Sequence, residues 1–374
     1  MFAPIRALLT PRRHAPLAVL AGAAVVSFMF SATPFLIPEV ADRYGVALGS
    51  AGFISTFQVS GFGLVAFLAG RWWRPTRTKL VMALLAMVVF DAGSALTSDL
   101  PMLLGLRFAA GGAAGVLTWL AWADAMRHPG SMRDVAAIGP ITALVSAPLL
   151  VWMAESGGDR ALYWVLAVSP LLAVFVPISF GDAVRSARDP MSPSRSNRVL
   201  LFALAIMTMA GAALFVFVGA LAQDEIGMSG LGLSLGFSLH SLSGLVAART
   251  PGRRRRSWPW IGLTALSAAA LVVLPNPVVF YVAMTTWGYG FWMAVPGVLD
   301  AVAAWSFVRE ERVGDAQSLM AVGRAIGPAV GGVLVGNDAF LILGLCAGAG
   351  LGVSTAMVAG VETYRTDRSA PRPT

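Results

Sequence analysis

The sequence predicts an all-α membrane protein, with twelve transmembrane helices arranged as two pseudo-symmetric six-helix bundles. Its composition, its long uncharged runs and an internal repeat all support this fold class. Of the 374 residues, 57% are hydrophobic and only 12% are charged, whereas about 25% are charged in a typical soluble domain. The mean hydropathy is +0.74. This composition excludes a disordered chain, and the single cysteine, Cys346, excludes a disulfide-bonded scaffold.

Twelve segments are long and apolar enough to cross a bilayer, which takes about 20 residues of helix. Short polar or proline-rich breaks separate them, as at Pro275-Asn276-Pro277. The second and eighth segments are rich in glycine and serine and have the weakest hydropathy signal. The predicted spans are 16–37, 49–69, 80–97, 101–124, 134–154, 161–180, 199–221, 230–248, 258–275, 278–307, 316–335 and 339–360.

The first span has a second interpretation as a secretory signal peptide. Arginines precede its apolar stretch, and small residues follow, as in such peptides. The apolar stretch is too long for a signal peptide, however, and eleven further spans follow it. We therefore interpret it as an uncleaved first helix.

Basic residues in the loops predict the orientation of the chain. With the N-terminus in the cytoplasm, 23 of the 27 basic residues fall in cytoplasmic segments, and only Arg43 and Arg160 fall in outer loops. A missed helix would invert every later loop, so this alternation also supports the span count. We interpret the pI near 10.7 as this topology signal and not as a nucleic-acid-binding patch. The predicted location is the bacterial inner membrane, with both termini cytoplasmic.

A polar stretch divides the chain into two sets of six spans. The predicted organisation is a cytoplasmic N-terminus over 1–15, a bundle over 16–180, a cytoplasmic linker over 181–198, a second bundle over 199–361 and a cytoplasmic tail over 362–374. In the fourth span of each set an acid follows a glycine by twelve residues, Gly112 to Asp124 and Gly288 to Asp300. Internal repeats of this kind build many secondary transporters, whose substrate site lies between the repeats.

Two motifs in the first set resemble motifs of the major facilitator superfamily. The loop that begins at Gly70 and ends at Lys79 stands where that family has a motif of glycine, acid and basic residues. Arg74 occupies the position of the acid, and Arg77 occupies the position of a glycine. Arg107, with the glycines that follow it, resembles the arginine motif of the family's fourth span.

Two motifs in the second set extend the resemblance over about residues 15–362. The segment 307–314 resembles the family's loop between spans ten and eleven. A glycine–proline pattern in span eleven resembles the motif that marks exporters of the family when it stands in span five. Its residues are Gly323, Gly327, Pro328, Gly331 and Gly332. The resemblance implies the major facilitator fold and transport by alternating access, and the motif favours export, although span five itself keeps only Ala147-Pro148.

Ionisable groups within spans are costly in a membrane and are therefore candidate functional residues. From the helical rise, Asp91 and Arg107 have similar depths on consecutive spans, which predicts an ion pair. It is either a proton-sensitive pair or a structural pair that fixes helix packing. Asp300 and Arg324 form a second potential pair, about 13 Å from the cytoplasmic surface, with a substrate or proton role or, alternatively, a role as a latch between helices.

Asp124 and His240 are further candidates. Asp124 is the repeat counterpart of Asp300, but it also stands close to the predicted water boundary. His240 is the one histidine in a predicted span, and imidazole titrates near neutral pH; the alternative is a packing residue that hydrogen-bonds a neighbour. Members of the family that export cationic drugs often have a carboxylate in span one, whereas span one here offers hydroxyl groups but no acid. The resemblance therefore argues against a strongly cationic substrate.

Large apolar side chains on spans one, four, seven and ten are candidates to line a cavity for an apolar or amphipathic ligand. The alternative is that they face lipid or fill ordinary helix contacts. They are Met29, Phe30, Trp119, Trp122, Met207, Met209, Trp287, Tyr289 and Trp292.

The predicted function is proton-coupled efflux of a small organic molecule, apolar or amphipathic, by a secondary active transporter. The alternatives are an importer or facilitator of a small nutrient or metabolite and a non-transporting scramblase or receptor on the same fold. The sequence carries no recognisable catalytic, metal-binding or phosphate-binding motif, so we predict neither enzyme activity nor a cofactor. The expected partners are the substrate, protons and the lipid bilayer, with no nucleic acid, and we expect a monomer.

Overall fold

A computed structural model describes residues 16–125, 131–176, 194–250, 256–304, 306 and 309–369. All regular structure in this part of the chain is helical, which confirms the predicted all-α class. The helices are α1 Leu17–Tyr44, α2 Leu48–Ala51, α3 Phe53–Trp72, α4 Arg77–Leu96, α5 Leu100–Ala125, α6 Ser131–Val174, α7 Arg195–Phe215, α8 Val218–Asp224, α9 Gly230–Arg249, α10 Trp258–Val273, α11 Pro277–Ala304, α12 Arg309–Val335 and α13 Phe340–Ser369.

The helices account for about the predicted number of membrane crossings. Ten helical segments of the described chain are long and apolar enough to cross a membrane, and α10 is a shorter apolar helix of 16 residues. One of the ten segments, 137–174, lies in α6, whose 44 residues would span about 66 Å at 1.5 Å per residue. That is twice the thickness of a hydrocarbon core, so α6 is long enough for two crossings.

A pair of glycines breaks α6 between those two crossings. Gly157 and Gly158 both leave helical geometry, and Gly158 has a φ of 61° with a ψ of −154°, a conformation that is essentially restricted to glycine. α6 therefore corresponds to predicted spans five and six, with a break where the sequence predicted a loop. Together with α10, this gives a helix count consistent with the twelve predicted spans.

The helices pack in the same pairs in the two sets of six spans. In the first set α3 packs on α5, while α1 and α4 pack on α6; in the second set α9 packs on α11, α7 on α12 and α10 on α13. The two sets meet where α6 contacts α9 and where α3 contacts α12. The bundle boundaries at 16–180 and 199–361 stay predictions. Residues 1–15, 181–193 and 370–374, which belong to the predicted terminus, linker and tail, lie outside the described residues.

Glycines bring α3 and α5 into backbone contact. A Cβ added at Gly61 would collide with the carbonyl group of Phe108, and one added at Gly111 would collide with the backbone of Gln58. Small residues allow helices in membranes to approach this closely, and van der Waals packing then holds them together.

We expect Gly111→Ala to lower the free energy of unfolding by about 1–3 kcal/mol, because the new methyl group meets rigid backbone and not a flexible side chain. Gly105→Ala on the same helix is the matched control, since nothing lies within 4 Å of a Cβ at that exposed position. The control should have the same free energy of unfolding as the parent protein or a slightly higher one, because alanine favours helix over glycine. Unfolding in mixed micelles measures both variants, and equal loss of stability in the two would contradict the packing argument.

Candidate functional site

A cavity of about 350 Å³ lies at the centre of the molecule, between the two sets of spans. Helices α1, α3, α6, α7, α9, α11 and α12 all contribute to its wall. The lining residues are Ser27, Phe30, Ser31, Thr33, Pro34, Phe35, Ser55, Val59, Gly139, Pro140, Ala143, Ala147, Thr208, Gly211, Ala212, Phe215, Val216, Phe237, His240, Ser241, Trp287, Phe291, Trp292 and Arg324.

Aromatic rings form one wall of the cavity, and Phe215 stands at their centre. Its ring centroid lies 5.6 Å from that of Phe237, 5.7 Å from that of Trp287 and 5.0 Å from that of His240. These separations are typical of favourable edge or tilted aromatic pairs. Trp292, which also lines the cavity, packs against Gly139 of α6 and Gly244 of α9. The wall therefore offers a rigid apolar surface to a ligand.

The polar part of the wall contains two kinds of hydroxyl group. Those of Ser27, Ser31, Thr208 and Ser241 donate to backbone carbonyls of their own helices at 2.8 Å. The structure records no hydrogen bond for the hydroxyls of Thr33 and Ser55 within the described chain. These two groups can therefore donate to a ligand in the cavity.

Arg324 of α12 is the one residue with a full charge among the described residues that line the cavity. Part of its surface is exposed to the cavity. The structure records neither an ion pair nor a hydrogen bond for its guanidinium within the part of the chain it describes. The cavity thus has an apolar wall and a single positive group.

A second polar cluster lies outside the cavity, buried between α3, α4, α5 and α6. Arg107 and Asp91 are both fully buried and form an ion pair, with Nη2 of Arg107 2.5 Å from Oδ1 of Asp91. Nε of Arg107 donates to Oγ of Ser94 at 3.1 Å, and the guanidinium stands 4.8 Å from the ring centroid of Tyr163. Oδ2 of Asp91 and Nε2 of Gln58 are buried without a hydrogen-bond partner.

A third cluster joins the C-terminal ends of α1 and α4 to the part of α6 that follows the break at Gly157 and Gly158. Nη1 of Arg43 lies 2.8 Å from Oδ2 of Asp159. The guanidinium also donates to the carbonyl oxygens of Ser94, Ala95 and Thr97 at the C-terminal end of α4. It thereby satisfies carbonyls that have no partner within the helix, and its role is structural.

The backbones of the two sets of spans approach closely at one end of the molecule. We call the end at which α1 begins the N-terminal end and the other the opposite end. At the opposite end the backbone of Gly49 lies against that of Gly332, and Gly219 lies against the carbonyl of Pro34. Side chains at these glycines would collide with backbone atoms of the other set.

Of the two ion pairs that the sequence predicted, the structure forms one. The expected Asp91–Arg107 ion pair is formed, and its role in proton coupling stays a prediction. The structure records no Asp300–Arg324 ion pair, because Arg324 faces the cavity while Asp300 is exposed outside its wall.

The other two ionisable candidates have separate environments. His240 lines the cavity, with Nδ1 3.2 Å from the carbonyl oxygen of Met284. The side chain of Asp124 lies outside the described residues, as do the side chains of Arg71 and of the whole motif over 307–314.

Three of the predicted large apolar residues, Phe30, Trp287 and Trp292, line the cavity. The others are directed elsewhere by the rotation of their helices. Met29 and Met207 are buried between helices, Trp122 packs beside a small cluster at Val19, and Tyr289 packs on Trp260 of α10. Trp119 stands near Gly70, and neither it nor Met209 is part of the cavity lining.

The residues of the two family-like motifs have different environments: those in α12 pack closely against other helices, and the arginines after α3 are exposed. In α12, Gly323, Gly327 and Gly331 lie against the backbone of α7, and Gly332 lies against α2. Pro328 is buried within the same helix. Arg74 and Arg77 are both exposed beyond the end of α3, where charged side chains avoid the hydrocarbon core.

Sequence reasoning missed several lining residues, chiefly Phe215, Phe237 and Phe291. Phenylalanine is common throughout the spans, so its presence alone carries no signal. Phe215 stands at the end of α7, immediately before the break that separates α7 from α8. That break has no proline or polar run in the sequence that would have revealed it.

This arrangement of paired helices around a central cavity is that of a membrane transporter. A family model described as Major Facilitator Superfamily matches residues 19–332. The chain belongs to this superfamily and is a multi-pass membrane transporter. No curated protein matches the sequence.

Two solved structures are similar to the chain. The human organic anion transporter MFSD10 (TETRAN) aligns with a TM-score of 0.67 and 16% identity over 91% of this chain and 98% of its own. A bacterial homologue of the human lysosomal transporter Spinster, solved in an inward-facing and occupied conformation, aligns with a TM-score of 0.70 and 11% identity over 95% of this chain and 98% of its own. At these identities the likeness concerns the fold.

Proposed function

We propose that the protein is a secondary active transporter that exports a small apolar or amphipathic organic molecule by alternating access, with proton movement as the driving force. The observation that carries the proposal is the cavity of about 350 Å³ between the two sets of spans. A largely apolar cavity of this size suits a small organic ligand. Its position between repeats is also where secondary transporters hold their substrates.

The closed opposite end supports alternating access. In this conformation the two sets are in close contact at Gly49–Gly332 and Pro34–Gly219, towards that end of the molecule. Because the loop charges predict a cytoplasmic N-terminal end, we propose that substrate reaches the cavity from the cytoplasm in this conformation, which would be the loading state of an exporter. The proposed setting is the bacterial inner membrane, with both termini cytoplasmic and the protein acting as a monomer.

Two groups support the proton-coupling part of the proposal. Oδ2 of Asp91 is buried without a partner, so this oxygen can accept a proton when Arg107 moves away. His240 lines the cavity and uses Nδ1 for the carbonyl of Met284, which leaves Nε2 to exchange a proton with the cavity. Either group would link protonation to a change in helix packing.

Reconstituted protein in liposomes that contain a pH-sensitive dye provides the test, with a panel of amphipathic organic molecules added outside. We expect a substrate-dependent proton flux. It should be abolished in Asp91→Asn if Asp91 is the coupling group, and reduced in His240→Gln if His240 takes part. Asp338→Asn is the matched control, because Asp338 is exposed and has a φ of 53°, which asparagine adopts readily. The control should transport like the parent.

Two outcomes would overturn parts of the proposal. Substrate transport that continues unchanged when the proton gradient is collapsed would exclude proton coupling. In cells, loss of the protein should raise accumulation of the substrate; lower accumulation would instead establish an importer or facilitator.

A further inference from the structure

We infer that the central cavity selects organic molecules that carry one negative charge on an aromatic or otherwise apolar body, with Arg324 as the residue that binds the anionic group. This inference rests on the proposed transport function and specifies its substrate class. It begins from the charge of the wall: Arg324 is positive, and no Asp or Glu stands among the described residues that line the cavity.

An unpaired charge in a membrane-embedded site is costly unless something neutralises it. Many such arginines are neutralised by a carboxylate of the protein, as Arg107 is by Asp91. For Arg324 the structure records no such partner in the described chain, and part of its surface is open to the cavity. A bound anion would supply the missing partner.

The surroundings of Arg324 can complete an anion subsite. Ser55 belongs to α3, which packs against α12, and it lines the cavity as Arg324 does. The structure records no hydrogen bond for its hydroxyl within the described chain. The backbones of Gly49 and Gly332 are in contact and mark one level of the two facing segments. At 1.5 Å per residue, Ser55 lies about 9 Å from Gly49, and Arg324 lies about 12 Å from Gly332. The two donors therefore lie at nearly the same level on facing helices.

The geometry and charge of this subsite favour a monoanion such as a carboxylate or sulfonate. A guanidinium can hold a carboxylate through two parallel N–H···O bonds. One arginine balances one negative charge, whereas a doubly charged phosphate would leave an uncompensated charge among aromatic rings. The rings of Phe215 and Trp287 would contact the apolar body of the same ligand.

Three molecules that share one ring system test the inference: 2-naphthoate is anionic, 2-naphthamide is neutral and 2-(aminomethyl)naphthalene is cationic. Binding to purified full-length protein is measured by isothermal titration calorimetry in detergent, which needs neither a gradient nor transport. We expect 2-naphthoate to bind roughly tenfold to hundredfold more tightly than the amide, the range that a hydrogen-bonded charge pair gives. The amine should bind most weakly.

Substitutions at Arg324 provide the second part of the test. In Arg324→Gln the preference for 2-naphthoate over 2-naphthamide should disappear, while Arg324→Lys should keep part of it. Arg74→Gln is the matched control, because Arg74 is exposed beyond the end of α3 and away from the cavity. Trp287→Ala should weaken all three compounds together, because the ring contacts the shared naphthalene.

Three outcomes would overturn the inference. They are equal binding of naphthoate and naphthamide, no binding of naphthoate, and a preference for naphthoate that survives in Arg324→Gln. If Arg324→Gln does not fold, Arg324→Lys alone decides: we expect a reduced preference for naphthoate over naphthamide, because lysine keeps the charge but not the two parallel N–H···O bonds. An unchanged preference would show that Arg324 does not bind the anionic group. A charge preference that depends on Arg324 without any proton flux would uphold the substrate class and remove the proton-coupling proposal, so the two failures are distinguishable.

Discussion

Asp91→Leu is expected to lower the free energy of unfolding by about 3–5 kcal/mol, because it leaves the guanidinium of Arg107 buried without its counter-charge. Both members of the pair are fully buried, so water cannot replace the lost carboxylate. The remaining partners of Arg107, which include Ser94 and Gln58, are neutral acceptors at 3.1 and 3.5 Å. Unfolding by SDS in mixed micelles measures the change.

The double variant Asp91→Leu/Arg107→Met should recover most of the loss, since apolar residues of similar volume often replace a buried ion pair at little cost. Asp159→Asn is the comparison at a more exposed pair, in which Arg43 keeps its three backbone carbonyl partners. Its loss should be clearly smaller than that of Asp91→Leu. A double variant as unstable as Asp91→Leu would show that the loss comes from packing and not from the unpaired charge.

Gly49→Ala is expected to shift the protein away from the conformation that is closed at the opposite end. A Cβ at this position would collide with the carbonyl of Gly332 in the other set of spans, and only separation of the two sets relieves that collision. Overpacking of about 1–3 kcal/mol would move the balance towards the open state by roughly tenfold to hundredfold.

Labelling of an introduced cysteine reports this shift. Thr33→Cys in a Cys346→Ala background places one thiol in the cavity wall, beside the Pro34–Gly219 contact that closes the opposite end. A membrane-impermeant maleimide should react faster from the opposite side in Gly49→Ala than in the parent. Gly352→Ala, at a position with nothing within 4 Å of a Cβ, is the control. Equal rates in all three proteins would argue against a gate at Gly49.

The sequence predicted the helices better than their ends. Hydropathy, together with the alternation of basic loops, predicted about the number of crossings that the structure shows, because burial in a membrane demands long apolar runs. It ended the first span at residue 37, before Pro38, but α1 continues to Tyr44. Both of its prolines are accommodated within the helix, and Arg43 adds contacts to Asp159 and the end of α4. Tertiary contacts of this kind are not visible in a local pattern.

The sequence predicted how deep the site residues lie in the membrane, but not towards which neighbouring helix or cavity they point. Helical rise gave Asp91 and Arg107 matching depths, and the structure pairs them. The same argument gave Asp300 and Arg324 matching depths, yet Arg324 turns towards the cavity and Asp300 does not. The rotation of each helix about its axis decides such contacts, and it depends on the packing of all its neighbours.

The shortness of α10 has a consequence for the surrounding lipid. Its 16 residues span about 24 Å, which is some 6 Å less than a typical hydrocarbon core of about 30 Å. Leu266 and Val273 of this helix are exposed, so we expect acyl chains to contact it. A helix shorter than the hydrocarbon core can be accommodated by local thinning of the bilayer, and we expect lipids with shorter acyl chains to solvate this side of the transporter with less deformation.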